Sequence, residues 1–452
     1  MIRLVFTENA YNQLANHLHG SSPLEEGAFC LVREGRGASS RRLLVDKVLL
    51  PQAGDWESQN EGLLRPSAQW VSFAVSQAIN CDAGLLFIHS HPHPEHPCGF
   101  SGRDKSALLD LGRTLQPIID GPFVAVVVHA RAWAGAVVER DTLVDIDRIW
   151  AVGRTIRNLS LGEKTPTFEL DIRQKDALGN IHDQLRTLDI AVIGCGGLGS
   201  PVAEQLTRAG ARSLILNDKD TLDTPSNVRR VFGAMVADIK AVVPPPKVDV
   251  VGRHVEQLGF GTHVRRVHGD VRSERVFREI LDADVAISAT DTHGSRAVLN
   301  DLASSYLLPV IDVGTRVGTR AQNVLCSLIA EVRVLTPATP CLWCRKTISA
   351  DTIRIENLPA EQCDRLRRDG YVIGDSEAPA PSVVALTVLG AGLATCALIG
   401  LFAEDADSAP SAYWIDGLLG DARETAPAIP VSDCRCRLRI SRGDTAPPPF
   451  LS

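Results

Sequence analysis

The sequence predicts an α/β protein of two units, on three observations. At 452 residues the chain exceeds one ordinary core, since domains usually hold ~100–200 residues. Short apolar runs alternate with segments of helical periodicity, which is typical of strands and helices that follow one another along the chain. A glycine-rich turn at 194–199 directly follows one apolar run and precedes a helical segment, the arrangement of a doubly wound, Rossmann-like sheet.

The first unit is predicted over residues 1–150, as a small α/β domain. Its apolar runs are short enough for buried strands, its longer segments have helical spacing, and Gly and Pro punctuate each junction. Residues 151–180 are mixed and polar, so they are predicted to form a connector that becomes helical before the second unit. The predicted helices cover 7–19 and 67–80, and the predicted strands cover 25–32, 42–50, 83–89 and 123–129.

The second unit is predicted over residues 181–452. Strand and helix signals alternate from residue 188 onward, which implies βαβ crossovers and therefore an open parallel sheet. The predicted strands cover 188–193, 213–217, 284–290 and 310–313, and the predicted helices cover 200–209, 248–258 and 295–306.

Composition excludes several classes of partner. A net charge of -7 and a pI near 6.0 give no broad electrostatic attraction to nucleic acid or to an anionic membrane.

Residues 378–403 carry no charge, but prolines at their start, three glycines and an acidic end without basic flanks favour a buried helix over a membrane span. Eleven cysteines, an odd number, and an N-terminus without an apolar signal core predict a reducing, cytoplasmic location.

The glycine-rich turn predicts a phosphate site. Glycines between a strand and a helix let backbone amides approach phosphate oxygens, and the helix N-terminus adds positive partial charge. The acidic residue expected after such a turn to hold a ribose is Asp218, which fits a dinucleotide site equally well. The turn alone therefore does not choose between redox and phosphoryl chemistry.

The residues around the turn make that choice. They comprise Asp218-Lys219-Asp220, Ser226-Asn227-Val228-Arg229-Arg230, Lys247 and Ala289-Thr290-Asp291. With the turn, this set resembles the ThiF-like, ubiquitin-activating family of adenylating enzymes over about 180–400.

The resemblance implies roles for these residues with ATP and Mg²⁺. Asp218 would hold the ribose, while Arg230 and Lys247 would neutralise the triphosphate and Asp291 would bind Mg²⁺. Lys240 is an alternative to Lys247, and Arg229 could exchange with Arg230. Asp171-Ile172-Arg173-Gln174 resembles the family's short Arg-Gln helix, so Arg173 would reach the nucleotide of a second protomer in a homodimer. The remaining residues implied at the nucleotide are Gly194, Gly196, Gly197 and Gly199, which would line the phosphates, together with Asp220 and Asn227.

Cysteines suggest two further features. Cys341 and Cys344 have the two-residue spacing with which thiolates share a tetrahedral Zn²⁺. Family members close such a site from the C-terminal end, so Cys434 and Cys436 would complete it, although their one-residue spacing departs from the usual two. Cys363 lies in a polar stretch with cationic residues, and thioester-forming members carry their acceptor cysteine on this segment, so it is the candidate nucleophile. An incidental surface thiol is the alternative.

A second metal site is predicted in the first unit. His89 and His91 alternate at the end of a strand, so both imidazoles project to one side, and Asp104 follows after a turn. Two histidines and one carboxylate leave a fourth zinc position open, as in catalytic sites. The intervening loop contains other side chains that could serve as extra ligands: His93, Glu95, His96 and Cys98. We expect them instead to be side chains of an insertion loop without a role at the metal.

The pattern His89-Ser90-His91-Pro92 followed by Ser101-Gly102-Arg103-Asp104 resembles the JAMM (Mov34/MPN) metalloproteases over about 1–150. The resemblance implies a glutamate general base, for which Glu25 fits best because Ala28 then takes the family's small position. Glu26 is the alternative. Ser101 would donate a hydrogen bond to the oxyanion.

The two resemblances together imply an enzyme that handles a ubiquitin-like protein. The second unit would adenylate that protein's C-terminus with MgATP and pass it to Cys363, or to a separate conjugating enzyme. The first unit would use zinc to hydrolyse an amide at the same terminus. One rival is activation and processing of a sulfur-carrier protein in cysteine or cofactor biosynthesis, and another is a non-catalytic scaffold that binds the ubiquitin-like protein.

Overall fold

The computed structural model divides the chain into two compact units. The first contains Met1–Lys164, Ser304–Leu307 and Arg437–Pro448, and the remainder forms the second. The first unit thus continues past residue 150 and includes two later segments that the sequence assigns to the second. The structure describes residues 1–18, 24–92, 98–129, 132–160, 168–320, 324–359, 361–363, 365, 381–403, 411–425 and 433–447.

The first unit is built on a nine-stranded mixed sheet with the order β11-β10-β1-β3-β2-β6-β7-β8-β9, beside a separate β4-β5 hairpin. The pairs β1-β10, β1-β3 and β6-β7 are parallel, and the other neighbours in the large sheet are antiparallel. Its elements are β1 (Ile2–Thr7), α1 (Glu8–Leu18), β2 (Gly27–Arg36), β3 (Arg41–Leu49), β4 (Trp56–Asn60), β5 (Leu63–Pro66), α2 (Ala68–Asn80), β6 (Gly84–His91), α3 (Gly102–Leu115), β7 (Phe123–His129), β8 (Ala132–Glu139), β9 (Thr142–Asp145), β10 (Arg148–Val152) and β11 (Ile156–Asn158).

Helices cover both faces of this sheet. Leu14 of α1 lies in one apolar cluster with β1, β2 and β3. Trp70 of α2 and Leu108 of α3 lie in a second apolar cluster, which contains the residues of β2 and β6 that alternate with those of the first cluster. Successive strand residues point to opposite faces, so the continuous apolar runs of these strands fill both clusters.

The predicted bounds of the first unit need one correction. Residues 151–158 are not part of a connector, because β10 extends to Val152 and β11 pairs antiparallel with it. This pairing was missed because β11 is only three residues long and mostly exposed, so it has no apolar alternation to recognise.

The second unit contains an eight-stranded sheet with the order β14-β13-β12-β15-β16-β17-β18-β19. Its elements are α4 (Ile172–Leu178), α5 (Asn180–Leu185), β12 (Asp189–Ile193), α6 (Gly199–Arg208), β13 (Ser213–Asp218), α7 (Pro225–Val228), α8 (Lys247–Gln257), β14 (His263–His268), α9 (Glu274–Ile280), β15 (Val285–Ser288), α10 (His293–Ser305), β16 (Val310–Arg320), β17 (Val324–Leu335), α11 (Ala350–Glu356), α12 (Val384–Leu401), β18 (Ala412–Asp416), β19 (Asp421–Glu424) and α13 (Arg435–Leu438). The last two residues of α10 and of α13 belong to the first unit.

The predicted parallel sheet is correct for only part of this unit. Strands β14, β13, β12, β15 and β16 are parallel, with crossovers between them. From β16 onward every pairing is antiparallel, so the sheet is mixed. The long hairpin of β16 and β17 was missed because the charged residues Glu331 and Arg333 break the apolar pattern of β17. In the structure Arg333 forms salt bridges with Asp312 of β16 and with Glu331, so the strand continues through both charged positions.

Helix α12 is the uncharged segment that raised the question of a membrane span. Among the described helices it alone is long and apolar enough to cross a membrane, with 18 residues and a mean hydropathy of 2.2, and half of it is buried. It packs on α6, β16 and β17, and a Cβ added at Gly390 would lie 2.9 Å from Leu198. The helix therefore lies against the sheet of the second unit, as the sequence predicts.

Candidate functional site

The glycine-rich turn lies between β12 and α6 and is shaped by two of its glycines. Gly194 has φ +95°, a conformation that favours glycine, and a Cβ there would lie 2.6 Å from the carbonyl oxygen of Ala289. A Cβ at Gly199 would lie 1.7 Å from the carbonyl oxygen of Gly194. Side chains are thus excluded at both ends of the turn, while Gly196 and Gly197 line a cleft above it.

Asp218 stands at the end of β13, next to the turn. Its Oδ2 accepts a hydrogen bond of 2.7 Å from the backbone N–H of Cys195, and its Oδ1 accepts one of 2.9 Å from that of Asp220. Burial raises the pKa of Asp218, while Lys247 and the two backbone donors oppose that rise. Asp218 is therefore fixed in place at the cleft, where a carboxylate could accept hydrogen bonds from ribose hydroxyls.

The two cations implied by the resemblance, Lys247 and Arg230, both line this cleft. Lys247, the first residue of α8, donates from Nζ to Asp220 at 2.7 Å. Arg230 donates from Nη2 to Asn227, and its buried Nε has no hydrogen-bond partner among the described residues. An orphaned guanidinium donor in a cleft of about 390 Å³ fits a phosphate oxygen.

The alternatives to these cations lie elsewhere. Lys240 and Arg229 are exposed and do not line the cleft. In contrast, Asp291, which follows β15, lines the cleft and is exposed. Its carboxylate is therefore accessible to a metal ion bound to a phosphate. Arg173 on α4 is exposed and outside the cleft lining of its own chain. The role of Arg173 across a homodimer stays a prediction.

Asp270 and Arg296 also line this cleft, and sequence reasoning assigned a role to neither. Asp270 follows β14, and Arg296 lies on α10, where it pairs with the fully buried Asp312 at 3.2 Å. A signal for Asp270 was present, because ligands of open α/β sheets bind beyond the carboxyl ends of the strands. No local pattern marks Arg296, since its partner comes from another strand.

The four predicted zinc cysteines lie together. The sulfurs of Cys341, Cys344, Cys434 and Cys436 are all within 4.8 Å of one another, and Cys341 Sγ lies 3.6 Å from Cys344 Sγ and 3.5 Å from Cys434 Sγ. Hydrogen bonds, the largest from Cys436, lower the pKa of Cys341 to about 5 against the effect of burial. Four converging sulfurs could hold a metal ion, and they match the donor set with which proteins bind structural zinc. The one-residue spacing of the second pair does not prevent this convergence.

Cys363 lies in the short described stretch 361–363 and is half-buried. Its Sγ donates to the carbonyl oxygen of Ile355 at 3.2 Å, which sets it against the end of α11.

The histidine pair of the first unit meets Asp104 as the sequence predicts. The Nε2 atoms of His89 and His91 are 3.2 Å apart, and they lie 3.7 Å and 3.4 Å from the carboxylate oxygens of Asp104. Burial lowers the pKa of His89 to about 4, so this ring is neutral near pH 7. Its buried Nδ1 has no hydrogen-bond partner among the described residues.

Asp104 is held as a carboxylate. Although burial opposes it, hydrogen bonds from His91 and Ser101 hold its pKa well below the usual range. In contrast, the hydrogen bond to Asp104 raises the pKa of His91. One neutral imidazole, a second imidazole and a carboxylate that converge on one point fit a zinc ion with an open position.

The other residues predicted for this site are Ser101, Glu25 and Glu26. Ser101 caps α3: its Oγ accepts from Asp104 N at 3.2 Å, and its own N–H donates to the Asp104 carboxylate at 2.7 Å. Glu25 is buried, and its charge contributes to the raised pKa of His91. The Glu26 carboxylate instead lies 3.9 Å from His17 Nε2. Of the loop alternatives, His93, Glu95 and His96 lie outside the described residues.

Comparison with known proteins identifies a family. The ThiF family matches residues 171–436, more than half of the chain. The chain is 29% identical over 161 residues to the sulfur carrier protein ThiS adenylyltransferase of Bacillus subtilis, covering 36% of this chain and 44% of that protein. It is 30% identical over 141 residues to SUMO-activating enzyme subunit 2 of Dictyostelium discoideum, covering 31% and 21%. Each match thus spans less than half of the relative. Among solved structures, E. coli MccB aligns with TM-score 0.46 and 14% identity over 91% of this chain and 96% of that one.

Proposed function

Because this chain belongs to the ThiF family, we propose that its second unit adenylates the C-terminal carboxylate of a ubiquitin-like or sulfur-carrier protein. One observation carries the proposal: Arg230, Lys247 and Asp291 line a single cleft with the glycine-rich turn. A nicotinamide oxidoreductase has no use for two cations and an exposed carboxylate beside the phosphates. The names of the relatives supply the class of substrate.

The chemistry follows from where charge moves. A carboxylate oxygen of the protein tail attacks the α-phosphorus of ATP, the bond to the bridging oxygen breaks, and pyrophosphate leaves with the added negative charge. Lys247 and the unpaired Nε of Arg230 would bind the leaving pyrophosphate. Because negative charge on pyrophosphate grows as the reaction proceeds, both cations would stabilise the transition state more than the bound ATP. Mg²⁺ held by Asp291 would supply further charge stabilisation.

A thioester step at Cys363 is the finer part of this proposal. Its sulfur would attack the carbonyl carbon of the acyl-adenylate, the bond from carbon to the phosphate oxygen would break, and AMP and one proton would be released. A sulfur-carrier pathway is the second candidate function, favoured by the Bacillus relative, and it does not need this cysteine as acyl acceptor.

For the first unit we propose a zinc-dependent hydrolase of the JAMM type. The convergence of His89, His91 and Asp104 supports it. Zinc bound there would polarise the scissile carbonyl and make water more acidic. Glu25 would take the proton of the attacking water and pass it to the leaving amine. Both units would then act on one flexible tail, as a maturation or release step and an activation step.

The adenylation proposal is tested by mass spectrometry of a small ubiquitin-like protein that ends in glycine. If a gene that neighbours the one for this chain encodes such a protein, that protein is the first choice of partner. Incubation with the protein, MgATP and pyrophosphatase should add the mass of one AMP to the partner. Removal of the partner's terminal glycine should abolish the adduct, whereas an adduct on internal residues of the partner would contradict the proposal.

A further inference from the structure

The carboxylate of Glu356 binds the start of helix α10. Its Oε1 accepts from His293 N and its Oε2 from Gly294 N, each at 2.8 Å. Glu356 is the last residue of α11, more than sixty positions further along the chain. The first N–H groups of a helix have no partner within it, so a carboxylate supplied from elsewhere satisfies two of them with charge-assisted bonds.

Two further contacts join α11 to the same region. Ser349, which caps α11, donates its backbone N–H to Nδ1 of His293 at 3.1 Å. Arg272 donates to Asn357 Oδ1 at 2.8 Å, and Asp270, which lines the cleft, holds Arg272 by a salt bridge of 2.6 Å. Helix α11 is therefore fastened at both ends to the loops around the nucleotide cleft.

Helix α11 is connected to two proposed functional groups, the Asp291 carboxylate and the Cys363 thiol. Asp291 lies two residues before His293, so bonds that fix the His293 and Gly294 peptides also limit the directions that the Asp291 carboxylate can take. Cys363 Sγ bonds to Ile355 O, the residue immediately before Glu356. One short helix thus contacts both the loop of the Mg²⁺ carboxylate and the candidate thioester cysteine.

We propose that Glu356 is a positioning residue that ties the Cys363 segment to the Asp291 loop. The inference rests on the proposed adenylation function. By ordering the Asp291 loop before Mg²⁺ arrives, the Glu356 clamp removes an ordering cost from metal binding. It also connects the Cys363 segment to that loop, because Cys363 Sγ bonds to the carbonyl oxygen of Ile355 in the same helix.

Hydrogen–deuterium exchange tests the clamp without any activity. Glu356→Gln keeps the side-chain shape but leaves one acceptor oxygen for two N–H groups. The amides of His293 and Gly294 should then exchange about tenfold faster, the effect of losing one charge-assisted hydrogen bond. Glu361→Gln is the matched control, because it makes the same chemical change at an exposed position of the following segment.

Kinetics separate positioning from general stability. In pyrophosphate exchange, Glu356→Gln should raise the KM for Mg²⁺ by about tenfold with kcat nearly unchanged. Glu356→Asp, which keeps the charge, should recover part of the loss. Two results would overturn the inference. One is hydrogen–deuterium exchange that is faster throughout the second unit; the other is an unchanged KM for Mg²⁺ together with amides of His293 and Gly294 that exchange as slowly as in the wild type.

The two assays distinguish failure of the Glu356 role from failure of the proposed adenylation function. If the wild-type protein exchanges pyrophosphate and Glu356→Gln behaves like it in both assays, only the role of Glu356 is wrong. If the wild type shows no partner-dependent exchange, the proposed function fails, while the amide measurement still decides whether the clamp exists.

Discussion

Lys247 and Asp220 form an ion pair in the nucleotide cleft, with 2.7 Å between Nζ and Oδ2. The lysine side chain is 10% exposed and the aspartate 53%, so the cation is confined while its partner faces solvent. The backbone N–H of Lys247 also donates to the Asp220 carbonyl at 3.0 Å. The pair holds Lys247 in the cleft where phosphates would bind.

Lys247→Gln should therefore reduce pyrophosphate exchange by about 10²–10³-fold, the usual cost of one donor to developing charge. Lys240→Gln should leave exchange unchanged, because Lys240 is exposed and outside the cleft lining. Initial rates at saturating MgATP decide between them. A large loss in the Lys240 variant with a normal Lys247 variant would reverse the assignment.

Zinc content should reflect two separate sites. Metal analysis of the purified protein should give about two zinc ions per chain, one from each ligand set. Cys341→Ser/Cys344→Ser should remove one and lower the melting temperature, whereas His89→Ala/His91→Ala should remove the other. Zinc content that is unchanged in the cysteine variant would eliminate the four-cysteine site.

Cys363 decides between a thioester and sulfur transfer. If it accepts the acyl group, ATP and partner should give a heavier species on a non-reducing gel that collapses with thiol. Cys363→Ala should abolish this species and leave adenylation intact, and Cys396→Ala is the control because it removes an exposed cysteine on α12. An undiminished species in the Cys363 variant would assign the acceptor to another thiol.

Glu25→Ala should stop cleavage of a partner that carries residues beyond its terminal glycine, by about 10²–10⁴-fold, the typical cost of a lost general base. Its zinc content and adenylation should persist, because Glu25 is not a proposed ligand. Glu26→Ala is the control, since that carboxylate lies near His17. Loss in the Glu26 variant alone would shift the base by one residue. Equal cleavage by Glu25→Ala, Glu26→Ala and His89→Ala would remove the hydrolase proposal.

Local signals in the sequence predicted much of this fold. Ser67 caps a helix that was predicted over 67–80 and runs from Ala68 to Asn80, and the strand predicted over 123–129 has the same bounds in the structure. Apolar runs and capping residues act over a few positions, so they are legible in one sequence. The β16-β17 hairpin was missed because buried salt bridges of Arg333 and Asp312 offset the charges that suggested exposure.

In the candidate sites too, local motifs were predictable from the sequence, whereas contacts between distant residues were not. Motif spacing predicted the residue types that line the cleft and those of both candidate metal-binding clusters, because that spacing reflects the chemistry of a site. It could not choose Lys247 over Lys240, since that depends on where α8 begins relative to the turn. It gave no sign of Glu356, whose two partners lie more than sixty residues away and are backbone N–H groups.

Incorporation of labelled pyrophosphate into ATP tests the central proposal most directly. We expect incorporation only when the protein, Mg²⁺, ATP and a small ubiquitin-like partner with a free C-terminal carboxylate are all present. Asp291→Ala should abolish it, because that carboxylate would hold Mg²⁺ at the departing charge. Incorporation that proceeds without the partner, that persists with an amidated partner, or that is unaffected by Asp291→Ala would contradict this account of the cleft.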